Sequence, residues 1–187
     1  KVLSGVYPHG SYSGTIELNG EEATFRDINS SEAAGIVIIH QELALNPLQS
    51  IAENIFLGNE RSRRGIINWD RTAIEAGALL AKVGLAENPA TRIYELGVGK
   101  QQLVEIAKAM AKDVSLLILD EPTAALNDED SDHLLDLISS MRDHGITCIL
   151  ISHKLREVRR IADRVTVIRD GKTIETIDMS EPGATEG

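Results

Sequence analysis

The sequence predicts an α/β fold: a largely parallel sheet covered on both faces, with a closing antiparallel hairpin and an α-helical insertion. Three observations carry this. Ile36-Val37-Ile38-Ile39, Leu116-Leu117-Ile118-Leu119 and residues 147–152 are continuous apolar runs of strand length. Between them apolar residues recur at helical intervals instead of alternating. The chain has 187 residues, 42% of them hydrophobic and 3% aromatic, enough to bury one mostly aliphatic core.

The elements follow in order. Lys1-Val2-Leu3-Ser4-Gly5 reads as the last turn of a helix stopped by glycine, so a segment is expected to precede Lys1. Thr15 to Leu18 alternates, Asn19-Gly20 is a hairpin turn, and residues 22–25 return. Residues 30–34 make one helical turn ending at Gly35, before the Ile36–Ile39 strand. From about 47 to 113 helical spacing takes over. Asp70 is placed to cap a helix carrying Ile74, Leu79, Leu80 and Val83 at helical spacing, with Gly84 closing it. Trp69 is expected to pack among these helices, and Arg61 to Gly65 to form an exposed loop. Leu103, Ile106, Ala107 and Met110 give residues 100–111 one buried face. Strand 116–120 follows, then a helix opened by Asp128-Glu129-Asp130, whose charges suit the positive end of the helix dipole, and ended by His144-Gly145. A buried strand over 147–152, a helix over 154–162 and a hairpin turning at Asp170-Gly171 complete the chain, with a loose tail from Ser180. Arg156, Arg159 and Arg160 read as a solvated helix face.

Composition removes several function classes. Nineteen Lys and Arg against 29 Asp and Glu give a net charge of −10, the wrong sign for a general nucleic-acid binder. A single cysteine, Cys148, allows no internal disulfide, and its place in a strand makes it a small apolar filler. His9, His133 and His144 lack metal-ligand spacing. No apolar run is long enough to cross a bilayer as a helix.

The chemistry gathers at strand ends. Asp120-Glu121 places two carboxylates at the C-terminal edge of a buried strand, where open α/β sheets bind ligands. Asp120 can hold Mg²⁺, which keeps most of its water and shares its site with phosphates, while Glu121 polarises an attacking water as general base. The plainer alternative is two acids capping the next helix. His153 ends the following strand at the same edge, within reach of a terminal phosphate, and Gln41 ends the 36–39 strand there. The neutral amide of Gln41 can serve Mg²⁺ or water without adding negative charge. Gly97-Val98-Gly99-Lys100 opens the 100–111 helix, where two glycines and unpaired N–H groups can cradle an anion.

Together these elements resemble the ATP-binding-cassette (ABC) ATPases, in order and over nearly the whole chain. Gln41 resembles the Q-loop, residues 96–102 the signature loop and residues 117–121 Walker B with its catalytic glutamate. Ala124-Ala125-Leu126-Asn127 resembles the D-loop, and Ile151-Ser152-His153 the switch histidine. The resemblance implies a single P-loop NTPase-like cassette domain over 1–187, with a helical subdomain at about 42–111 inserted in the α/β core. It implies ATP and Mg²⁺ as cofactors. Glu121 and His153 become catalytic, Asp120 and Gln41 metal-binding, and Gln41, Gly97, Val98, Gly99, Lys100, Asp120 and Asn127 ATP-binding. Cassettes of this family pair head to tail, each signature loop closing on the other's nucleotide.

Leu3 to Gly10, His40-Gln41-Glu42-Leu43 and Gly97 to Leu103 are more specifically similar to importer ATPases for monosaccharides of the xylose, galactose or ribose kind, and to their first cassette. The implied partners are membrane permease subunits, a second cassette and, indirectly, a sugar-binding protein. The implied location is peripheral, at the cytoplasmic face of the plasma membrane.

Two departures stand out. Gly97 replaces the signature serine and Lys100 its final glutamine, which removes a hydroxyl donor and adds a flexible point charge. No G-x-x-x-x-G-K-[ST] run occurs; Gly171-Lys172-Thr173 has Thr166 where the first glycine should be and sits between strands. The family's phosphate loop is expected upstream of Lys1. The 187 residues alone are therefore expected to bind ATP poorly and to lack turnover, and the resemblance implies hydrolysis by the whole protein. A cassette-fold module that has lost nucleotide binding is the alternative reading. DNA-repair and ribosome-associated cassettes are disfavoured by the charge, and neither a coiled-coil insertion nor a charged linker arm is visible.

Overall fold

The computed structural model describes residues 1–63 and 66–180; the far end of the expected 61–65 loop and the tail from 181 onward lie outside them. Residues 1–5 form turns, with Ser4 Oγ donating to Lys1 O at 3.0 Å. Gly5 lies at φ +70°, and a Cβ there would fall 2.1 Å from the Asp27 carbonyl oxygen, so only glycine lets these two backbones meet. A small hairpin follows, β1 (Glu17–Leu18) and β2 (Glu21–Glu22), turning at Asn19 (φ 54°) and Gly20 (φ 82°). Helix α1 (Ile28–Ala33) starts earlier than expected because Asp27 caps it, its side chain accepting from the Ser30 N–H at 2.7 Å.

Strand β3 (Ile36–Ile39) pairs in parallel with β6 (Leu116–Asp120), and β6 with β7 (Thr147–Ile151), so β6 is central. The register places Ile39 beside Leu119 and Asp120 beside Ile151, which brings the three C-terminal ends to one edge. Side chains alternate between two faces. Val37, Ile39, Leu117 and Leu119 face the main core, and Ile36 and Ile118 face a smaller cluster around Phe25.

The main core joins the sheet to the intervening helices. These are α2 (Ile51–Ile55), α3 (Trp69–Lys82) and α4 (Val98–Met110), which pack on one another, and α5 (Asp128–Asp143), which packs on α4 and β7. Ile51, Phe56, Leu80, Ile93, Val104, Ile106, Leu134 and Leu135 are all at most 1% exposed. Each such side chain contributes about 1.5–3 kcal/mol by leaving water. Helix α6 (Leu155–Ile161) then packs on α5, and β8 (Arg164–Arg169) pairs with β9 (Lys172–Asp178) across Asp170 (φ 51°) and Gly171 (φ 72°).

Several expectations are corrected. Asn68, not Asp70, caps α3, its side chain accepting from the Arg71 N–H. Ile74 is 73% exposed because the buried stripe of α3 runs through Thr72, Ala76, Leu79 and Leu80, and two residues from Thr72 is the far side of a helix. Trp69 is 53% exposed at the first position of α3, ahead of that stripe. The near end of the 61–65 loop is structured: β4 (Ser62–Arg63) pairs with β5 (Ile66–Ile67), and Arg61 stacks 4.6 Å from the Phe56 ring centre. Its guanidinium and that of Arg71 each reach Glu75 at 2.6 Å and hold the Glu75 carboxyl below the usual range. The 147–152 strand is not buried throughout. Among the described residues no neighbour covers its outer edge, and Ile149 and Ile151 are 40% and 47% exposed on the face that carries only the Phe25 cluster. The basic face of α6 is not merely solvated, since Arg160 bridges to Asp132 and Asp136 on α5.

Candidate functional site at the sheet edge

Strand β6 ends at Asp120, and the chain then turns sharply. Glu121 takes φ +47°, a left-handed conformation that costs a non-glycine residue roughly 1–2 kcal/mol. Two backbone bonds hold it there: Glu121 N–H donates to Ile151 O at 2.9 Å, and Ala124 N–H donates to Glu121 O at 3.1 Å. Such strain persists where the surroundings over-determine it.

The turn directs the Glu121 carboxylate toward the ends of both neighbouring strands. His153 Nδ1 lies 3.1 Å from Glu121 Oε1, and Gln41 Nε2 donates to Glu121 Oε2 at 3.4 Å. Residues 41, 121 and 153 are far apart in sequence, and the parallel register brings the strand ends that carry them to one edge. The site is open: the His153 side chain is 69% exposed and that of Glu121 30%. Asp120 is half-buried beside them at the strand tip.

Beneath this open cluster lies a frame that the sequence did not disclose. Glu157 of α6 is 7% exposed. Its Oε2 accepts from Thr123 Oγ1 at 2.7 Å and from Ser152 Oγ at 3.2 Å, and Lys154 Nζ sits 3.2 Å from Oε1. Lys154 Nζ also donates to Thr123 O at 2.9 Å. A sequence signal existed: Glu157 is the one acid among Lys154, Arg156, Arg159 and Arg160, and a lone acid in a basic helix invites an inward partner.

The glycine loop is built elsewhere. Helix α4 starts at Val98, two residues before the expected start, with Gly97 as a cap that offers no side chain. The first intrahelical bond is Gln101 N–H to Gly97 O at 3.0 Å, so the N–H groups of Val98, Gly99 and Lys100 form an anion-friendly helix end. Gly99 packs on Asp130, where a Cβ would fall 2.6 Å from the carboxyl carbon. Asn127 caps α5, accepting from Asp130 N–H at 2.8 Å and donating to Asp130 Oδ2 at 3.0 Å. Lys100 Nζ is committed to Glu87 at 2.6 Å. The structure therefore brings the side chains of Gln41, Glu121 and His153 together, with Asp120 next to Glu121 at the strand tip, and ties Gly99, Lys100 and Asn127 to Asp130 and Glu87 instead. Cys148 is half-buried, and burial pushes its thiol up from the usual range, in keeping with an inert filler.

The model of the family described as ABC transporter matches residues 1–124. The chain belongs to the ABC transporter family. Its curated relatives include the L-arabinose transport ATP-binding protein of Geobacillus stearothermophilus, 62% identical over 186 residues that cover 100% of this chain and 36% of that protein. The xylose import ATP-binding protein of Moorella thermoacetica is 55% identical over 181 residues, 97% of this chain and 36% of its own length. That of Escherichia coli strain K12 is 54% identical over 180 residues, 96% of this chain and 35% of its own length. The chain thus spans about a third of the length of these relatives. Among solved structures, an ATP-binding cassette of an ABC transporter in its ADP conformation superposes with a TM-score of 0.80 at 20% identity, over 95% of this chain and 73% of that one. A Clostridium perfringens part of an ABC transporter complex gives 0.77 at 22% identity, over 95% and 70%. The fold is that of an ABC ATPase cassette. No helix among the described residues is long and apolar enough to cross a membrane.

Proposed function

We propose that this chain is a segment of the ATP-hydrolysing component of an ABC importer for a monosaccharide of the arabinose or xylose kind, working at the cytoplasmic face of a membrane. The observation that carries the reading is the clamp on Glu121, whose two carboxylate oxygens are held by His153 Nδ1 at 3.1 Å and Gln41 Nε2 at 3.4 Å on the ends of neighbouring strands. The names of the relatives at 54–62% identity support the sugar class.

In this reading Glu121 is the general base. Each of its oxygens keeps a lone pair beyond the bond it already accepts, enough to take a proton from a water. In its doubly protonated form His153 donates through Nδ1 to Glu121 and through Nε2 to a terminal phosphate, and so orients the water. Gln41 steadies the carboxylate through Nε2 and keeps Oε1 as a neutral oxygen donor. The remaining donors fit Mg²⁺. Among the described residues no group of three or more His, Cys, Asp or Glu could hold a metal by itself. Mg²⁺ asks for less: one or two hard protein oxygens, with phosphate and water filling the rest of its shell. Asp120 and Gln41 Oε1 would hold it, and when bound it supplies charge neutralisation to the phosphates.

Gly97, Val98, Gly99, Lys100 and Asn127 face a different task in this reading. The tie of Gly99 and Asn127 to Asp130 and of Lys100 to Glu87, not to Glu121, suits a loop that closes on the nucleotide of a second cassette. The helices within about 42–111 form the subdomain that meets the permease, and a sugar-binding protein delivers the cargo.

The test uses a chimera in which this chain replaces the matched 36% of the Geobacillus L-arabinose transport ATP-binding protein. Glu121→Gln is expected to lower ATP turnover at least about a hundredfold while leaving equilibrium ATP binding intact. Unchanged turnover in that variant would falsify the role given to Glu121.

A further inference from the structure

Glu157 forms no hydrogen bond or ion pair with Glu121 or His153, yet each of its partners is one or two residues from them. Thr123, which donates to Glu157 at 2.7 Å, lies two residues after Glu121. Ser152, donating at 3.2 Å, and Lys154, 3.2 Å away, flank His153 on either side. Lys154 closes the loop twice more: its Nζ donates to Thr123 O at 2.9 Å, and its N–H donates to Ser152 Oγ at 3.0 Å. The His153 side chain above is 69% exposed and that of Glu121 30%, and the strained Glu121 turn is not held by its own conformational preference, whereas Glu157 beneath is 7% exposed with both carboxylate oxygens engaged.

We propose that Glu157 is a positioning residue for ATP hydrolysis: with Thr123 and Lys154 it locks the turn that carries Glu121 to the turn that carries His153. The proposal rests on the reading of Glu121 as the base. Thr123→Val removes one buried hydroxyl at nearly constant shape. Glu157→Gln keeps two acceptor lone pairs but sets an amide against the Lys154 ammonium. In either variant the two turns can slide apart, and a displacement of a fraction of an ångström between base and orienting group lowers the chemical step without touching the groups that bind nucleotide.

Two measurements test this. In the 187-residue chain, histidine-ring NMR signals report position directly, and His9 and His144 serve as internal references because they bond elsewhere, His9 against Tyr12 and His144 to Ser140 O. Thr123→Val and Glu157→Gln are expected to shift the His153 ring signals and leave those of His9 and His144 in place. In the chimera described above, both variants are expected to lower kcat about tenfold or more with KM for ATP unchanged, and Thr123→Ser to restore it. An unmoved His153 signal, or a kcat within twofold of the parent in Thr123→Val, overturns the positioning role. Glu121→Gln separates the two claims: if it abolishes turnover while Thr123→Val does nothing, only the positioning inference fails; if Glu121→Gln itself turns over normally, the reading beneath it fails too. Should Glu157→Gln not fold, Thr123→Val and its serine rescue decide alone.

Discussion

At the end of β6, Glu121 adopts φ +47° and is bonded through its N–H, its carbonyl and both carboxylate oxygens, over a buried frame centred on Glu157. At the start of α4, Gly97 sits at φ −66° and ψ 161°, unstrained and without a capping side chain, and the charged groups beside it are Asp130, packed on Gly99, and a surface pair between Lys100 and Glu87. The contrast follows from what each region offers. In the proposed reading Glu121 is a base that must present one atom to one water, and small displacements are costly, which suits a backbone braced from several sides. A helix end presents a fan of N–H groups to an anion, and what it needs is room for the backbone to be approached. Bracing and openness are local answers to different chemical demands within one chain.

The contrast can be tested for its dependence on the shared core. Leu119 precedes Asp120, is fully buried and packs in the cluster that joins sheet to helices. Leu119→Ala is expected to cost about 2–5 kcal/mol in urea unfolding, the ordinary range for a cavity of that size. It is also expected to broaden the His153 ring signals, because the strand tip rests on that side chain. A loss under 1 kcal/mol would show that the tip does not draw its rigidity from the core.

A smaller effect is expected at the glycine loop. Gly99→Ala places a Cβ 2.6 Å from the carboxyl carbon of Asp130, so Asp130 must swing away from Asn127. Alanine favours the helix intrinsically, but the loosened cap of α5 outweighs this, and a net loss of about 1 kcal/mol is expected in the same unfolding experiment. A stabilised variant would mean that Asp130 gives way freely and that this glycine serves access alone.

The two regions also differ in how far the sequence revealed them. The strands were legible because Ile36–Ile39 and Leu116–Asp120 are apolar on both faces, and a parallel register then forces their ends to one edge. That made Gln41, Glu121 and His153 a predictable trio. The frame below was not legible. Glu157 becomes a partner of Thr123 only when α6 folds back on the turn, and nothing in hydropathy marks that approach. The left-handed Glu121 was hidden for the same reason, since tertiary bonds impose it against local preference. In the helices, the start of α4 was missed because Val98 and Gly99 are poor helix formers, and that of α3 because Asn68 competes with Asp70 as a cap. Trp69 and Ile74 are apolar yet exposed, because position around the helix and not apolar character decides burial.

Lys100 gives the finest test. It stands where the family's signature loop usually ends in glutamine, and its charge could brace the loop or simply sit near an incoming anion. The structure commits its Nζ to Glu87 at 2.6 Å, with side-chain exposures of 54% and 23%. An exposed pair of this kind gains little, because water screens the charges and two long side chains must be held still. Lys100→Ala is therefore expected to change unfolding stability by less than about 0.5 kcal/mol, with no dependence on salt concentration beyond that of the parent chain. A loss above 1 kcal/mol that fades in high salt would place the α4 start among the braced regions and erase the distinction drawn here. A neutral result would leave the Lys100 ammonium free to exchange Glu87 for a phosphate, as the proposed closure of this loop on a second cassette's nucleotide requires.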